Sequence, residues 1–178
     1  MRLAGGVAST VLREAAAFVQ PGISTLEIDQ YAGERISHYG GKSAFLGYRN
    51  YPCQICISVN EEVVHGIGNQ RRIQPGDVVS IDIGVTKDGW IGDNAVTVPV
   101  GPITPESRKL LAATEQSLFE AIEYAREGER LADLCGSVEA FVTVHGFTVV
   151  RKLVGHGVGR KLHEKPEVPN FRPLESTP

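Results

Sequence analysis

Two aspartates lie eleven residues apart in a stretch that has the alternating pattern of β-strands. Asp82 lies in the run Val79, Ile81, Ile83 and Val85, whose side chains share one strand face, while Asp82 lies on the other. Strand interiors are depleted in Asp, and a buried charge is costly unless it is paired or bound to a cation. A carboxylate here is therefore a candidate for chemistry.

Asp93 is the predicted partner of Asp82. A two-residue turn at Asp88-Gly89 pairs residue 84 with residue 93, which places both carboxylates on one face as diagonal neighbours. Like charges this close either share a proton or hold a divalent cation. An exposed polar face is the alternative, and the pattern alone does not choose between them.

Three histidines strengthen the metal hypothesis because they occur in glycine-rich or turn-like segments. His65 and His156 each begin an HGxG tetrapeptide, and His163 follows His156 after seven residues, directly before Glu164. Glycine allows a backbone or a substrate to approach closely. Spacing alone does not say which of these histidines would bind a metal.

The elements that must position these residues alternate between helices and strands. Helical spacing and end signals predict helices over residues 3–19, about 24–39, 104–126 and 131–144. Alternation and turn residues predict strands over 54–59 and 62–66, joined at Asn60-Glu61, over 77–85 and 90–98, and over 147–154. This order indicates an α+β fold.

A weak internal repeat relates the two ends of the chain. A shift of 106 residues superimposes the Gly22 to Gly40 interval on the Gly128 to Gly146 interval, and each half later reaches an HGxG tetrapeptide. The repeat predicts one domain with two similar α+β halves, about residues 1–100 and 101–178. Their strands would meet at a shared cleft.

Composition narrows the class of protein. The 178 residues are 42% hydrophobic and 22% charged, which suits one soluble domain. The net charge of -3 is spread evenly, without a basic and aromatic cluster, so no direct nucleic-acid partner is expected. Three cysteines favour a reducing compartment, with cytoplasm as the expectation, and no apolar run is long enough for a membrane.

Several motifs resemble the bacterial, type I methionine aminopeptidases. They are VVHGIG before the aspartate pair, VGHGVGRKLHEKPEVPN after it, and the segments YRNYP, CISVNE and PGD. The resemblance covers nearly the whole chain. It implies the pita-bread fold, in which two pseudo-symmetric α+β halves surround a dinuclear metal site, with the second half incomplete here.

The resemblance also assigns metal and catalytic residues. It implies that Asp82 binds one metal ion, that Asp93 bridges both, and that His156 binds the other. His65 and His163 would face the substrate as catalytic residues, His65 near the scissile nitrogen and His163 at the carbonyl oxygen. The cofactors implied are two divalent ions, Co, Mn, Fe or Zn.

The substrate implied is the N-terminal methionine of nascent proteins and peptides. Tyr48, Tyr51 and Cys56 match positions that line the methionine pocket in this family, and an apolar, aromatic pocket suits a thioether. Phe45 and Leu162 stand where other apolar residues are expected. The function implied is a metalloaminopeptidase that removes the initiator methionine by dinuclear-metal hydrolysis.

Two further glutamate ligands of the family lie on strands that would follow residue 178. We therefore expect a C-terminal truncation, or a second polypeptide that supplies those strands, and the activity of the isolated chain is uncertain. The alternative functions are a prolidase or aminopeptidase P of the same fold, and a non-catalytic module that binds peptides or partners. A redox role for Cys53 and Cys56 is disfavoured because the motif opens a strand.

Overall fold

A computed structural model describes residues 1–173 of the chain. The chain divides into two compact units, here called unit 1 (residues 1–104 with 158–162) and unit 2 (residues 105–157 with 163–178). The boundary near residue 104 lies close to the predicted one. The short segment Val158–Leu162 belongs with unit 1 although unit 2 precedes and follows it.

Unit 1 holds two helices and a four-stranded antiparallel sheet. Its elements are α1 (Arg2–Phe18), α2 (Thr25–His38), β1 (Lys42–Ser43), a 3-10 helix (Tyr48–Asn50), β2 (Cys56–Val59), β3 (Val78–Lys87) and β4 (Trp90–Pro99). Unit 2 holds α3 (Pro105–Ile122), α4 (Leu131–Val144), β5 (Gly155–Gly157) and β6 (Glu164–Val168). None of the described helices is both long and apolar enough to cross a membrane.

The helices of unit 1 form for local reasons that the sequence shows. The Ser24 hydroxyl accepts the backbone N–H of Glu27, and the Glu27 carboxylate accepts the backbone N–H of Ser24, so a reciprocal cap begins α2. In α1 the buried residues recur every three or four positions, as an amphipathic helix requires: Ala4, Ala8, Val11, Leu12 and Ala15.

Strand β3 is the centre of the sheet. It pairs with β4 along its whole length, and its other edge pairs with β2 and then with β1. Its predicted apolar face is confirmed, because the side chains of Val79, Ile81, Ile83 and Val85 are fully buried. This face packs with apolar residues of α1 and α2 in the main core. Asp82 lies on the opposite face, so the core does not enclose it.

The predicted hairpin at Asn60-Glu61 is wrong. Strand β2 pairs with β3 instead, and residues 62–66 form no strand. Asn60 explains the difference because its side chain donates to Asp77 and accepts the N–H of Val78. The chain end of β2 is thereby tied to the beginning of β3, and Val63 and Val64 remain exposed.

In unit 2 the helices are close to their predicted bounds, but the strand predicted at 147–154 is absent. That segment is irregular, and the strands β5 and β6 form an antiparallel pair just after it. Helix α4 begins and ends at the predicted residues 131 and 144, whereas α3 ends at Ile122, four residues before the predicted end. The apolar run 147–154 is largely exposed, which shows why apolarity alone misplaced the strand.

Candidate active site

The predicted acid pair forms on one face of the β3–β4 hairpin. Gly84 is the register partner of Asp93 and Ala95 that of Asp82, as the two-residue turn required. Both aspartates are half-buried, and their side chains are close enough to hydrogen-bond. Burial and then the charge of Asp93 raise the pKa of the Asp82 carboxyl well above its ordinary value.

The donor chemistry of this pair fits a divalent cation. Two oxygen donors in a partly desolvated position repel one another unless a proton or a cation lies between them. Across residues 1–173, no group of three or more His, Cys, Asp or Glu side chains is placed to hold a metal ion. The hairpin therefore provides a two-carboxylate donor set that needs further ligands.

An apolar cluster adjoins the acid pair within unit 1. Its buried members are Phe45, Cys56, Ile91 and Leu162, and the half-buried rings of Tyr48 and Tyr51 pack against them. Cys56 is also the register partner of Asp82. The structure thus brings the predicted methionine-pocket residues together beside the predicted metal ligands.

Two glycines and one missed residue shape this cluster. The ring of Phe45 lies on the strand at Gly84, where a Cβ would be only 2.4 Å from the ring. Ile91 was not predicted as a site residue, although it lies on the Asp93 side of β4 by two-residue alternation. That alternation is the signal that could have found it.

The cysteines show no sign of redox activation. Burial raises the pKa of the Cys56 thiol to about 11, the charges of Asp82 and Asp93 add to this, and the Tyr51 hydroxyl opposes it. Burial also raises the pKa of Cys53, and all three cysteines are free. A neutral, buried thiol at position 56 is suited to packing against an apolar ligand rather than to disulfide exchange.

His65 lies on the exposed loop that follows β2 in unit 1. Its backbone has a φ of 58°, the left-handed conformation that residues other than glycine rarely adopt. Burial and contacts of neighbouring residues, rather than intrinsic preference, must hold it there.

In unit 2 the predicted pair His156 and His163 comes together. Their ring centroids are 4.1 Å apart, although seven residues separate them in sequence. The Nδ1 of His156 lies 2.9 Å from the carbonyl oxygen of Gly157. When Nδ1 donates this hydrogen bond, Nε2 carries the lone pair that a metal ion requires.

Comparison with known proteins agrees with this arrangement. Residues 1–177 match metallopeptidase family M24. The chain is 43% identical over 178 residues to methionine aminopeptidase 1 of Bacillus subtilis, covering 100% of this chain and 72% of that protein. It is 44% identical over 171 residues to the methionine aminopeptidase of Clostridium perfringens, covering 96% and 69%.

Solved structures give the same result. Methionine aminopeptidase from Thermotoga maritima superimposes with a TM-score of 0.96 at 37% identity, covering 99% of this chain and 72% of that one. A prolidase from Pyrococcus furiosus superimposes with a TM-score of 0.85 at 22% identity, covering 98% and 50%, which shows a shared fold alone.

An acid pair on a pita-bread framework, together with these matches, defines a metallopeptidase of family M24. Divalent metal ions are the cofactors of this class. Within the family, the chain belongs to the bacterial methionine aminopeptidases, which confirms the resemblance found in its motifs.

Proposed function

We propose that this protein releases N-terminal methionine from peptides and nascent chains by metal-dependent hydrolysis. The observation that carries the proposal is the half-buried pair Asp82 and Asp93 beside the apolar cluster of unit 1. A hydrolytic centre needs a charged group that activates water, and an adjoining apolar pocket selects an apolar side chain.

We further propose that two divalent ions bind here, with Asp82, Asp93 and His156 among their ligands. Carboxylate and imidazole donors are compatible with Mn, Fe, Co and Zn. Bound divalent ions supply Lewis acidity and make a water-derived nucleophile available at neutral pH. Asp82 supports this assignment because burial penalises its charge in the metal-free protein, and a cation would offset that penalty.

The remaining groups orient the substrate in this proposal. Tyr48, Tyr51 and Cys56 enclose the methionine side chain, with Phe45 and Leu162 completing the apolar wall. His65 hydrogen-bonds near the scissile nitrogen. His163 donates to the carbonyl oxygen and so stabilises the negative charge that develops there during attack.

A chelation and reconstitution experiment tests this function. The purified protein is stripped with a chelator and assayed for release of methionine from a Met-Gly-X peptide, with and without added Mn or Co. We expect metal-dependent release from the wild type and none from Asp93→Asn. Asp88→Asn is the matched control, because Asp88 is an exposed turn residue with a φ of 52° that Asn also tolerates.

Full metal-dependent activity in Asp93→Asn would refute the ligand assignment. Release of an amino acid from X-Pro peptides but not from Met-Gly-X would favour the prolidase alternative, which the shared fold with Pyrococcus furiosus prolidase keeps in view. The pocket argues against that outcome, since its aromatic and thiol side chains suit a flexible thioether.

An exposed apolar face of α3 supports a role for further polypeptide. A shift of 106 residues maps Ala4 and Leu12 of α1, both buried, onto Leu110 and Leu118 of α3, which are 44% and 58% exposed. We propose that additional strands cover this face, either in the same chain or in a second polypeptide. Intact mass of the purified protein, with co-expression of the unmatched part of the Bacillus subtilis protein, distinguishes these arrangements.

We propose a cytoplasmic location. Its support is the presence of three free, buried cysteines, which an oxidising compartment would put at risk of pairing on unfolding. Fractionation of cells that express the tagged protein tests this location.

A further inference from the structure

The strained backbone of His65 is held by the residue that follows it. Gly66 makes three hydrogen bonds within unit 1. Its N–H donates to the hydroxyl of Ser58 at 3.1 Å, and its carbonyl oxygen accepts the N–H of Ile57 at 2.9 Å. The same carbonyl oxygen accepts the hydroxyl of Tyr51 at 2.7 Å, which is the shortest of the three.

Gly66 also lies directly against β2. A Cβ at residue 66 would be 2.1 Å from the carbonyl oxygen of Ile57 and 2.9 Å from the Cα of Ser58, so only glycine fits. Ser58 is 3% exposed, and Ile57 is 1% exposed. The anchor on which Gly66 rests is therefore part of the rigid core, whereas His65 itself is exposed.

Tyr51 connects this anchor to the pocket. Its ring packs in the apolar cluster with Cys56, and its hydroxyl reaches away from that cluster to Gly66 and, at 3.1 Å, to the carbonyl oxygen of Ile55. A wall of an apolar pocket needs only the ring. The hydroxyl has a separate task, which is to bond two backbone carbonyl groups on either side of the His65 loop.

The geometry points to Tyr51 as a positioning residue for His65: its hydroxyl, with Ser58, fixes Gly66 and thereby holds the His65 backbone in the left-handed conformation. This inference rests on the proposed function for its catalytic consequence, since it assigns Tyr51 a part in catalysis beyond lining the methionine pocket. The backbone arrangement itself does not depend on that function.

Phenylalanine at position 51 separates the two tasks, because it keeps the ring and removes the hydroxyl. Tyr31→Phe is the matched control. The Tyr31 ring stacks on Phe18 elsewhere in unit 1, with ring centroids 4.1 Å apart. The first readout needs no activity. It is the NMR backbone chemical shifts of His65 and the hydrogen-exchange protection of the Gly66 amide in the wild type and both variants.

We expect Tyr51→Phe to move the His65 shifts away from left-handed values and to speed exchange of the Gly66 amide, while Tyr31→Phe changes neither. Ser58→Ala should produce the same displacement from the opposite side of Gly66. Unchanged His65 shifts and Gly66 protection in a folded Tyr51→Phe protein would overturn the inference, whatever the activity.

The second readout separates positioning from pocket lining. In the metal-reconstituted enzyme we expect Tyr51→Phe to lower kcat about five- to tenfold, the scale of one lost hydrogen bond, with little change in KM. In a His65→Ala background the same substitution should have no further effect on kcat. A rise in KM at unchanged kcat, or an equal loss of kcat in both backgrounds, would contradict a role through His65.

Failure of the proposed function is visible separately. A wild-type protein that releases no methionine under any metal condition would remove the catalytic proposal, while the shifts of His65 would still decide whether Tyr51 holds its backbone.

Discussion

Replacing Gly92 with alanine should disrupt the contact between α1 and the sheet. Gly92 precedes Asp93 on β4, and its Cα faces the first turns of α1. A Cβ at residue 92 would lie 2.4 Å from the nitrogen of Gly5, 2.5 Å from the carbonyl carbon of Ala4 and 2.6 Å from the Cα of Gly5. All three are backbone atoms, so no side chain can rotate to make room.

The size of the effect follows from these distances. Ordinary contact of a Cβ begins at 3.4 Å, so α1 and β4 must separate by about 1 Å to accept the methyl group. The helix meets the sheet through Ala4 and Ala8, which are 1% and 0% exposed, so the separation also opens a gap around buried methyl groups. Overpacking of this kind costs about 1–3 kcal/mol, and backbone contacts place Gly92→Ala at the upper end.

The assay is thermal and urea unfolding of Gly92→Ala beside Gly6→Ala. For a protein of this size, a loss of roughly 3 kcal/mol lowers Tm by about 6–12 °C. Gly6 lies in the same helix, is exposed, and would have no atom within 4 Å of a new Cβ. Gly6→Ala should therefore stabilise the helix by about 0.5–1 kcal/mol.

The reasoning fails if Gly92→Ala unfolds at the wild-type temperature, because α1 would then not lie against β4 as described. It also fails if both variants are equally destabilised, since the effect would then be a general response of α1. A correct result carries a functional consequence. Movement of β4 at residue 92 displaces Asp93, so metal-dependent methionine release should fall together with stability.

Two further substitutions test other parts of unit 1. Burial raises the pKa of the Asp29 carboxyl above its ordinary 3.8 in spite of the backbone N–H groups of Gln54 and Ile55 that it accepts, so the free energy of unfolding that Asp29 contributes should decline as pH rises above 3.8 through the folded-state pKa. Asp29→Asn keeps the accepting oxygen and should flatten this decline in urea titrations across the acid range; an unchanged slope would exclude Asp29 as its source. Ser24→Ala removes the reciprocal cap of α2 and should cost about 1 kcal/mol in urea unfolding, and a loss below measurement error would mean that Glu27 and water replace the cap.

The part of the site predicted correctly depends on local rules. The Asp88-Gly89 turn fixes the register of β3 with β4, and register fixes which side chains share a face. Asp82 and Asp93 could thus be paired without knowing the rest of the fold. The cap at Ser24 and the bounds of α4 follow in the same way from signals within a few residues.

The errors arise where long-range contacts decide the structure. Residues 62–66 and 147–154 are apolar enough for strands, yet β2 finds its partner in β3 and the second segment finds none among the described residues. The strain at His65 depends on Gly66, Ser58 and Tyr51 meeting in space, which no periodicity shows. Recognition of the family motifs supplied the site roles that spacing left open.

Unit 1 is assembled from two separate stretches of sequence, and this affects the order in which the protein can form during synthesis. Leu162 closes the apolar cluster around Phe45, Cys56 and Ile91, but 58 residues separate it from the end of the first stretch at Thr104. At a synthesis rate of about 5–20 residues per second, those residues take roughly 3–12 s to appear. During that interval the sheet of unit 1 can fold while its pocket remains open on one side, so a nascent chain stalled before residue 158 should expose Cys56 to thiol reagents that the finished protein excludes.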